Sequence, residues 1–257
     1  DRLGVGRNMV KAIRHWLTAT GLAARSARQQ PLQLTALGQV VLDRDPNMIE
    51  PATWWALHAE LVIRDGDALA WSWFFNTFAR DRFDRMTCVD QLLRHVAARE
   101  ARTPSRDTLN RDVLCLLSSY AQPVPPKVDD PEEGRESPFR QLGLVTHFTE
   151  SDTYQIHRGL KDAPPAALAY ALARRYEAAE NAPAEVPFAA ALAEPGGPGR
   201  VFALDGDAFA EAIDVAERAF EGGVTIRMLG GERVLRVAGR APEAWLADHY
   251  ADLGAAA

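Results

Sequence analysis

Only two cysteines occur in this sequence, Cys88 and Cys115, 27 residues apart and without a Cys-x-x-Cys pair. That excludes a disulfide scaffold and a zinc site built on cysteine. Both lie in apolar, helix-like runs and read as buried free thiols of a protein kept in a reducing cytoplasm. No apolar stretch approaches the roughly 20 uninterrupted residues of a membrane-spanning helix. A basic segment leading into an apolar one is missing as well, so the expected location is the cytoplasm, with no membrane partner. Gly-Lys-Ser/Thr, Gly-x-Ser-x-Gly and His-Glu-x-x-His are absent, which removes the signatures of P-loop, α/β-hydrolase and zincin chemistry. An excess of positive charge is also lacking. Twenty-nine Lys and Arg against 35 Asp and Glu give a net charge of −6, which argues against a protein that coats nucleic acid non-specifically.

What is present is a chain of 257 residues, 47% hydrophobic and 25% charged, with material for one large or two smaller cores. It starts at Asp1 rather than Met and runs at once into a patterned segment, which reads as a fragment whose upstream residues are missing. The charge is uneven. Residues 1–30 carry Arg2, Arg7, Lys11, Arg14, Arg25 and Arg28 against Asp1, six positive charges less one negative, or +5. Local potential decides contact with a polyanion, so such a patch can bind one even on an acidic protein.

Apolar residues at Met9, Val10, Ile13, Trp16 and Leu17 recur at helical spacing between Asn8 and Leu22, and Gly21 ends the run. A polar stretch from Arg25 to Gln30 leads to a short strand at Leu32 and Leu34, and Thr35 opens a helix through Val41. Helices are expected at about 52–63 and 67–79, where Trp54, Trp55, Trp71, Trp73, Phe74, Phe75 and Phe78 should form the main core. Two more follow at about 88–102 and 105–120, opened by Thr87 and Ser105. The Pro-rich, acidic segment 122–138 reads as a solvated linker. Beyond it the pattern gives a hairpin around Thr149–Thr153, an Ala-rich helix at about 164–180, a broken segment 183–199 and a strand Val201–Leu204. A helix at 206–221, strands 224–229 and 233–237 about Gly230-Gly231, and a helix from 242 close the chain. The expected fold class is mainly α with small β-wings (α+β): winged helix-turn-helix units joined by a helical core. The expected domains are 1–121, the linker 122–138 and 139–257.

The first 42 residues follow the order of a winged helix-turn-helix: a Gly-containing turn (Leu3-Gly4-Val5-Gly6), a basic helix, a polar wing, a strand, then Leu34-Thr35-x-x-Gly38. In that module the basic helix enters the major groove while its apolar face packs inward. Arg7, Asn8, Lys11 and Arg14 share a face distinct from that of Met9, Ile13 and Trp16. Arg suits guanine edges, Asn adenine edges and Lys phosphates. Arg25 and Arg28 would sit on the wing. The preceding helices would lie upstream of Asp1. A weaker second copy runs from Ser105 through Arg111-Asp112-Val113, with Leu142-Gly143-Leu144 and its hairpin as wing; Arg106, Asn110 and Arg111 would face DNA.

Blander readings stand beside these. Asp112 reads as the partner of a nearby Arg, and many winged helices bind proteins rather than DNA. His58-Ala59-Glu60 matches the His-x-Glu of zinc deaminases, but Pro-Cys-x-x-Cys is missing, so it reads as helix surface. His147 and His157 could face each other across the hairpin, without metal spacing around them.

Several motifs in order resemble a bacterial family catalogued as a domain of unknown function, which includes the SspB proteins of DNA phosphorothioation. They are Leu3-Gly4-Val5-Gly6 through Trp16, Leu34-Thr35-x-Leu37-Gly38, Asp45-Pro46, Trp55-x-Leu57-His58, Trp73-Phe74-Phe75-Asn76-x-Phe78 and Thr108-Leu109-x-Arg111-Asp112-Val113. The match spans about residues 3–120 and continues more weakly through Tyr154 and Pro165–Tyr170. The resemblance implies a component of a bacterial defence system that replaces a non-bridging phosphate oxygen of DNA with sulfur. Its implied partners are double-stranded DNA, a cysteine desulfurase, an ATPase and a sulfur-transfer subunit, and its implied role is nicking DNA to admit the modification. The family pattern also begins upstream of Asp1, with a His-Glu-containing segment that this chain lacks. Phosphodiester hydrolysis usually draws on carboxylate-bound metals, so Mg2+ or Mn2+ is the cofactor of a nicking reading. No nuclease constellation is visible, and Asp112 with Arg111 is the pair to mutate first. The competing readings are a winged-helix adaptor or transcription regulator without chemistry, and a structural subunit that packs against proteins. A homodimer reading two half-sites fits either DNA-binding reading.

Overall fold

The computed structural model describes residues 4–25, 27, 30–64, 66, 68–99, 104–125, 137–178 and 181–256. It opens with helix α1 (Arg7–Ala19), the short strands β1 (Ala23–Ala24) and β2 (Gln33–Leu34), and helix α2 (Ala36–Arg44). The Thr35 hydroxyl caps α2 by accepting from Gly38 N at 3.0 Å, and it donates to Gly21 O at 2.5 Å. Thr35 therefore starts the helix and closes the base of the β1–β2 pair at once. Gly38 is required here because a Cβ would collide with the Leu22 carbonyl.

Helices α3 (Pro51–Ile63) and α4 (Leu69–Asn76) carry four of the six tryptophans, together with Phe74 and Phe75. Helix α3 is apolar on nearly every face, and ten of its residues from Ala52 to Val62 are buried, as expected of a helix packed all round. Trp55 stacks on Phe202 with centroids 4.7 Å apart, and Phe74 stacks on Phe78 at 5.3 Å. Strand β3 (Arg82–Phe83), helices α5 (Arg85–Ala97) and α6 (Arg106–Tyr120), and strand β4 (Ala121–Val124) follow. A 3-10 turn (Pro138–Leu142) then leads into the hairpin β5 (Val145–Phe148) and β6 (Thr153–Ile156). The sheet order is β3-β6-β5-β4, with only the β4–β5 pair parallel.

Helix α7 (Pro165–Arg175) is buried from Ala166 to Ala173, and its small side chains let it lie closely on α3. Strand β7 (Ala184–Pro187), helices α8 (Phe188–Ala193), α9 (Pro198–Val201) and α10 (Gly206–Ala219), strands β8 (Val224–Leu229) and β9 (Glu232–Val237), and helix α11 (Pro242–Ala256) complete the chain. Gly230 and Gly231 both have positive φ, 60° and 87°, which a two-residue hairpin turn with strands of right-handed twist demands. The α+β class expected from the pattern is what the chain adopts.

Several local expectations are corrected. Helix α5 starts at Arg85, before Thr87, because the Asp84 carboxylate accepts from Thr87 N at 2.8 Å and takes the capping position. Val201–Leu204 is no strand: Pro198 at the first helical position and the Val201 N to Gly197 O bond make Val201 the last residue of α9, and Phe202 and Ala203 form the turn after it. Helix α7 ends at Arg175 rather than near 180, where Tyr176 leaves helical geometry and Glu177 turns left-handed at φ 52°. Gln122–Val124, placed in the linker, pairs with β5, while residues 126–136 lie outside the described residues. Cys88 is buried as expected; Cys115 is exposed, on the outer side of α6.

Candidate nucleic-acid interface

Helix α1 meets the core with only its second half. Trp16 packs edge-on against Trp71 at 5.1 Å, and Thr20 Oγ1 donates to Trp16 O at 2.7 Å as the helix ends. Gly21 then turns the chain at φ +73°, with the Glu60 carboxylate so near that a Cβ would lie 2.7 Å from Oε2. Arg7, Asn8, Lys11 and Arg14 are all exposed and make no ion pair with a described residue. The apolar face was expected to pack inward along its whole length. It does so from Trp16 onward, whereas Met9 and Ile13 are 55% and 37% exposed, because no described element lies opposite them.

Where α1 reaches the core, Arg14, His15 and Thr18 meet Ala24 at the end of β1, Arg25 just after it and Arg64 just after α3. They line an open cup of about 430 Å3. Arg64 donates through Nη1 to the Thr18 carbonyl at 3.2 Å and stands 3.6 Å from Glu60 Oε2. Arg64 and His15 line the cup but were not singled out in the sequence. Nothing in the local pattern marks Arg64, since it follows an apolar helix and reaches α1 only through the packing. Arg28, expected on the wing, lies outside the described residues.

Two buried polar clusters on α3 correct the surface reading of His58-Ala59-Glu60. His58 is 0% exposed and Glu60 3%, because α3 is covered on all sides. Glu60 Oε1 accepts from Tyr170 Oη at 2.8 Å and from Arg174 Nε at 2.7 Å. His58 Nε2 lies 2.7 Å from the Val201 carbonyl, which can only accept, so Nε2 carries the proton and Nδ1 accepts from Tyr120 Oη at 2.8 Å. Burial pushes the His58 pKa down to about 4, against a smaller opposing pull from Val201 O, and drives that of Tyr120 well above its usual value. The ring is neutral and the phenol keeps its proton at neutral pH.

The second expected unit is built differently. Ser105 Oγ caps α6 as anticipated, accepting from Thr108 N at 3.2 Å. Arg106, assigned to DNA, is drawn into an ion pair with Asp90 at 2.6 Å, and Asn110 is turned partly inward. Arg111 stays exposed, its Nε on the Asp107 carbonyl at 3.3 Å. Asp112 makes no ion pair with a described residue. It shares a small pocket of about 160 Å3 with His15, Trp71, Leu92 and Leu109. Burial pushes its carboxyl pKa up, opposed by the charges of Arg111 and His15. His147 stacks on Tyr154 at 4.3 Å, while His157 Nε2 lies 2.5 Å from Thr146 Oγ1, so the two histidines do not face each other. Among the described residues no group of three or more His, Cys, Asp or Glu could hold a metal ion. Asp112 and His15 supply two ligands at most, with Arg111 beside them, and do not fit a divalent cation.

A family model described as a protein of unknown function, DUF4007, matches residues 1–250. The chain belongs to the DUF4007 family. Two solved structures share the architecture of this DUF4007 chain. A magnesium ion-bound SspB crystal structure matches at TM-score 0.80 and 25% identity, over 98% of this chain and 76% of that one. A second SspB crystal structure matches at TM-score 0.78 and 25% identity, over 98% and 77%. No curated protein matches the sequence. The resemblance to SspB proteins read from the ordered motifs is thereby borne out. No helix among the described residues of the DUF4007 chain is long and apolar enough to cross a membrane.

Proposed function

We propose that this protein is the DNA-binding component of a bacterial DNA phosphorothioation system, and that it nicks duplex DNA to admit the sulfur modification. The observation that carries the reading is the exposed stripe of Arg7, Lys11 and Arg14 on a helix that stands partly off the core and leads into a β pair. A helix followed by a two-stranded wing is the order in which winged-helix proteins present a recognition helix to the major groove. The segment β3–α5–α6–β5–β6, in which β6 pairs with both β3 and β5, has the strand and helix order of a second such unit. The cysteine desulfurase, ATPase and sulfur-transfer subunit belong to this reading as partners through the likeness to SspB. A cytoplasmic location belongs to it too.

A second reading rests on the same exposed helix and β pair, which can hold DNA without any chemistry. In it the protein is a winged-helix adaptor that binds DNA without cutting it. The magnesium ion of the SspB relative makes divalent metal the variable to test. Supercoiled plasmid incubated with the protein and Mg2+ or Mn2+, with an EDTA control, separates the two. Metal-dependent conversion to open circle, lost in a folded Asp112→Ala variant, supports nicking with Asp112 in the machinery. Tight duplex binding without conversion supports the adaptor. Absence of salt-sensitive duplex binding would sink both.

A further inference from the structure

We propose that the cup between α1, β1 and the end of α3 is a clamp for one backbone phosphate of duplex DNA, with Arg64 as a phosphate contact beside Arg14 and His15. The inference rests on the DNA-binding reading and extends it to a residue outside the basic helix. Arg7, Lys11, Arg14 and Thr18 follow one another at helical intervals of four, three and four, so the exposed cationic stripe runs straight into the cup. The cup draws its positive groups from three separate parts of the fold, α1, the residue after β1 and the end of α3. Its volume of about 430 Å3 admits a phosphate group with part of its hydration.

The state of Arg64 is the deciding feature. Both of its described polar contacts, to the Thr18 carbonyl and to Glu60, are made through Nη1. The Nε and Nη2 donors are left for a ligand, and a guanidinium fork with two adjacent donors matches two phosphate oxygens. Glu60 brings one negative charge to the two guanidiniums of Arg64 and Arg174, so the group keeps a net positive charge. The bond to the Thr18 carbonyl holds Arg64 in place before DNA arrives, which lowers the ordering cost of binding. Since that same carbonyl lies near the end of α1, the clamp fixes the register of the basic helix on the duplex.

The test is fluorescence anisotropy of a labelled duplex across a salt series, with wild type, Arg64→Gln, Arg14→Ala, their double variant and the remote surface control Arg218→Ala. Arg64→Gln should weaken binding about tenfold and lower the slope of log K against log salt by about 0.9, the value of one lost phosphate contact. The double variant should lose less than the product of the single losses, since both side chains hold one phosphate. Arg218→Ala should match wild type. If Arg64→Gln fails to fold, the exposed His15→Ala serves in its place, with a severalfold loss expected. Unchanged affinity and slope in a folded Arg64 or His15 variant, with wild type bound to DNA, overturns the clamp alone, as do fully multiplicative losses. Failure of wild type to bind any duplex overturns the DNA reading and the clamp with it. A second arm titrates inorganic phosphate at constant ionic strength. Saturable binding that Arg64→Gln removes, without any effect on duplex affinity, assigns the cup to a free anion and overturns the DNA clamp.

Discussion

The two helix-and-hairpin units of this chain both carry arginines on their leading helix and end in opposite electrostatic states. In the first, Arg7, Lys11 and Arg14 project from α1 with no acidic partner among the described residues. In the second, Arg106 is paired with Asp90, and Asp107 and Asp112 share the first turns of α6 with Arg111. A basic residue is therefore available to a polyanion only where the carboxylates the fold brings to it leave charge and donors to spare. Both units are tied to the same stretch of α3. Glu60 lies under Gly21 and against Arg64, at the junction of α1 and β1, while His58 holds Tyr120, the last residue of α6.

That shared anchor gives the largest expected effect. Glu60→Ala leaves Arg174 half-buried and Tyr170 Oη without its acceptor, and should cost about 3–5 kcal/mol of stability. Urea unfolding followed by tryptophan fluorescence would measure it; a loss under about 1 kcal/mol would mean that the first unit is not anchored there. The contrast between the two helices comes next. Lys11→Ala with Arg14→Ala should weaken duplex binding on the order of 100-fold and lower the salt slope by about 1.8. Arg111→Ala should change affinity less than about threefold. Equal losses at both helices would erase the distinction between the units.

The second unit's anchor should respond to acid. Folded His58 has its pKa at about 4 against 6.5 for the exposed ring, so the unfolded chain takes up the proton first as pH falls. The stabilisation is complete above pH 6.5 and is lost on the way down to about pH 4, which amounts to about 2 kcal/mol between pH 7 and 5. Denaturation midpoints of wild type and His58→Gln across that range provide the check: the variant should show a flatter profile, and parallel profiles would show that His58 does not bind the proton differentially. The smallest effect belongs to Arg106→Ala, which removes a half-exposed ion pair and should cost about 0.2–1 kcal/mol. Duplex affinity should not change; a clear loss of binding would show that the pair with Asp90 opens to meet DNA.

Local sequence determined the elements whose signals are local. Thr35 and Ser105 marked helix starts through their hydroxyls, and Gly230-Gly231 marked a hairpin through its positive φ angles. The period of three and four residues marked α1 and its charged stripe. Position relative to the rest of the chain was beyond that reach. Strands β3, β4 and β7 are short and take their pairing from distant partners, β6, β5 and β9, so nothing in their own residues announced them. Helix α3 is apolar around its whole circumference and carries no periodic signal of which side faces what, and so His58 and Glu60 passed for surface. Tertiary packing alone decided that they are buried, that Arg106 meets Asp90, and that Arg64 meets α1. The physical reason is range. Capping, turn geometry and helical period act over a few residues, whereas burial and ion pairing depend on which distant surfaces the apolar core draws together.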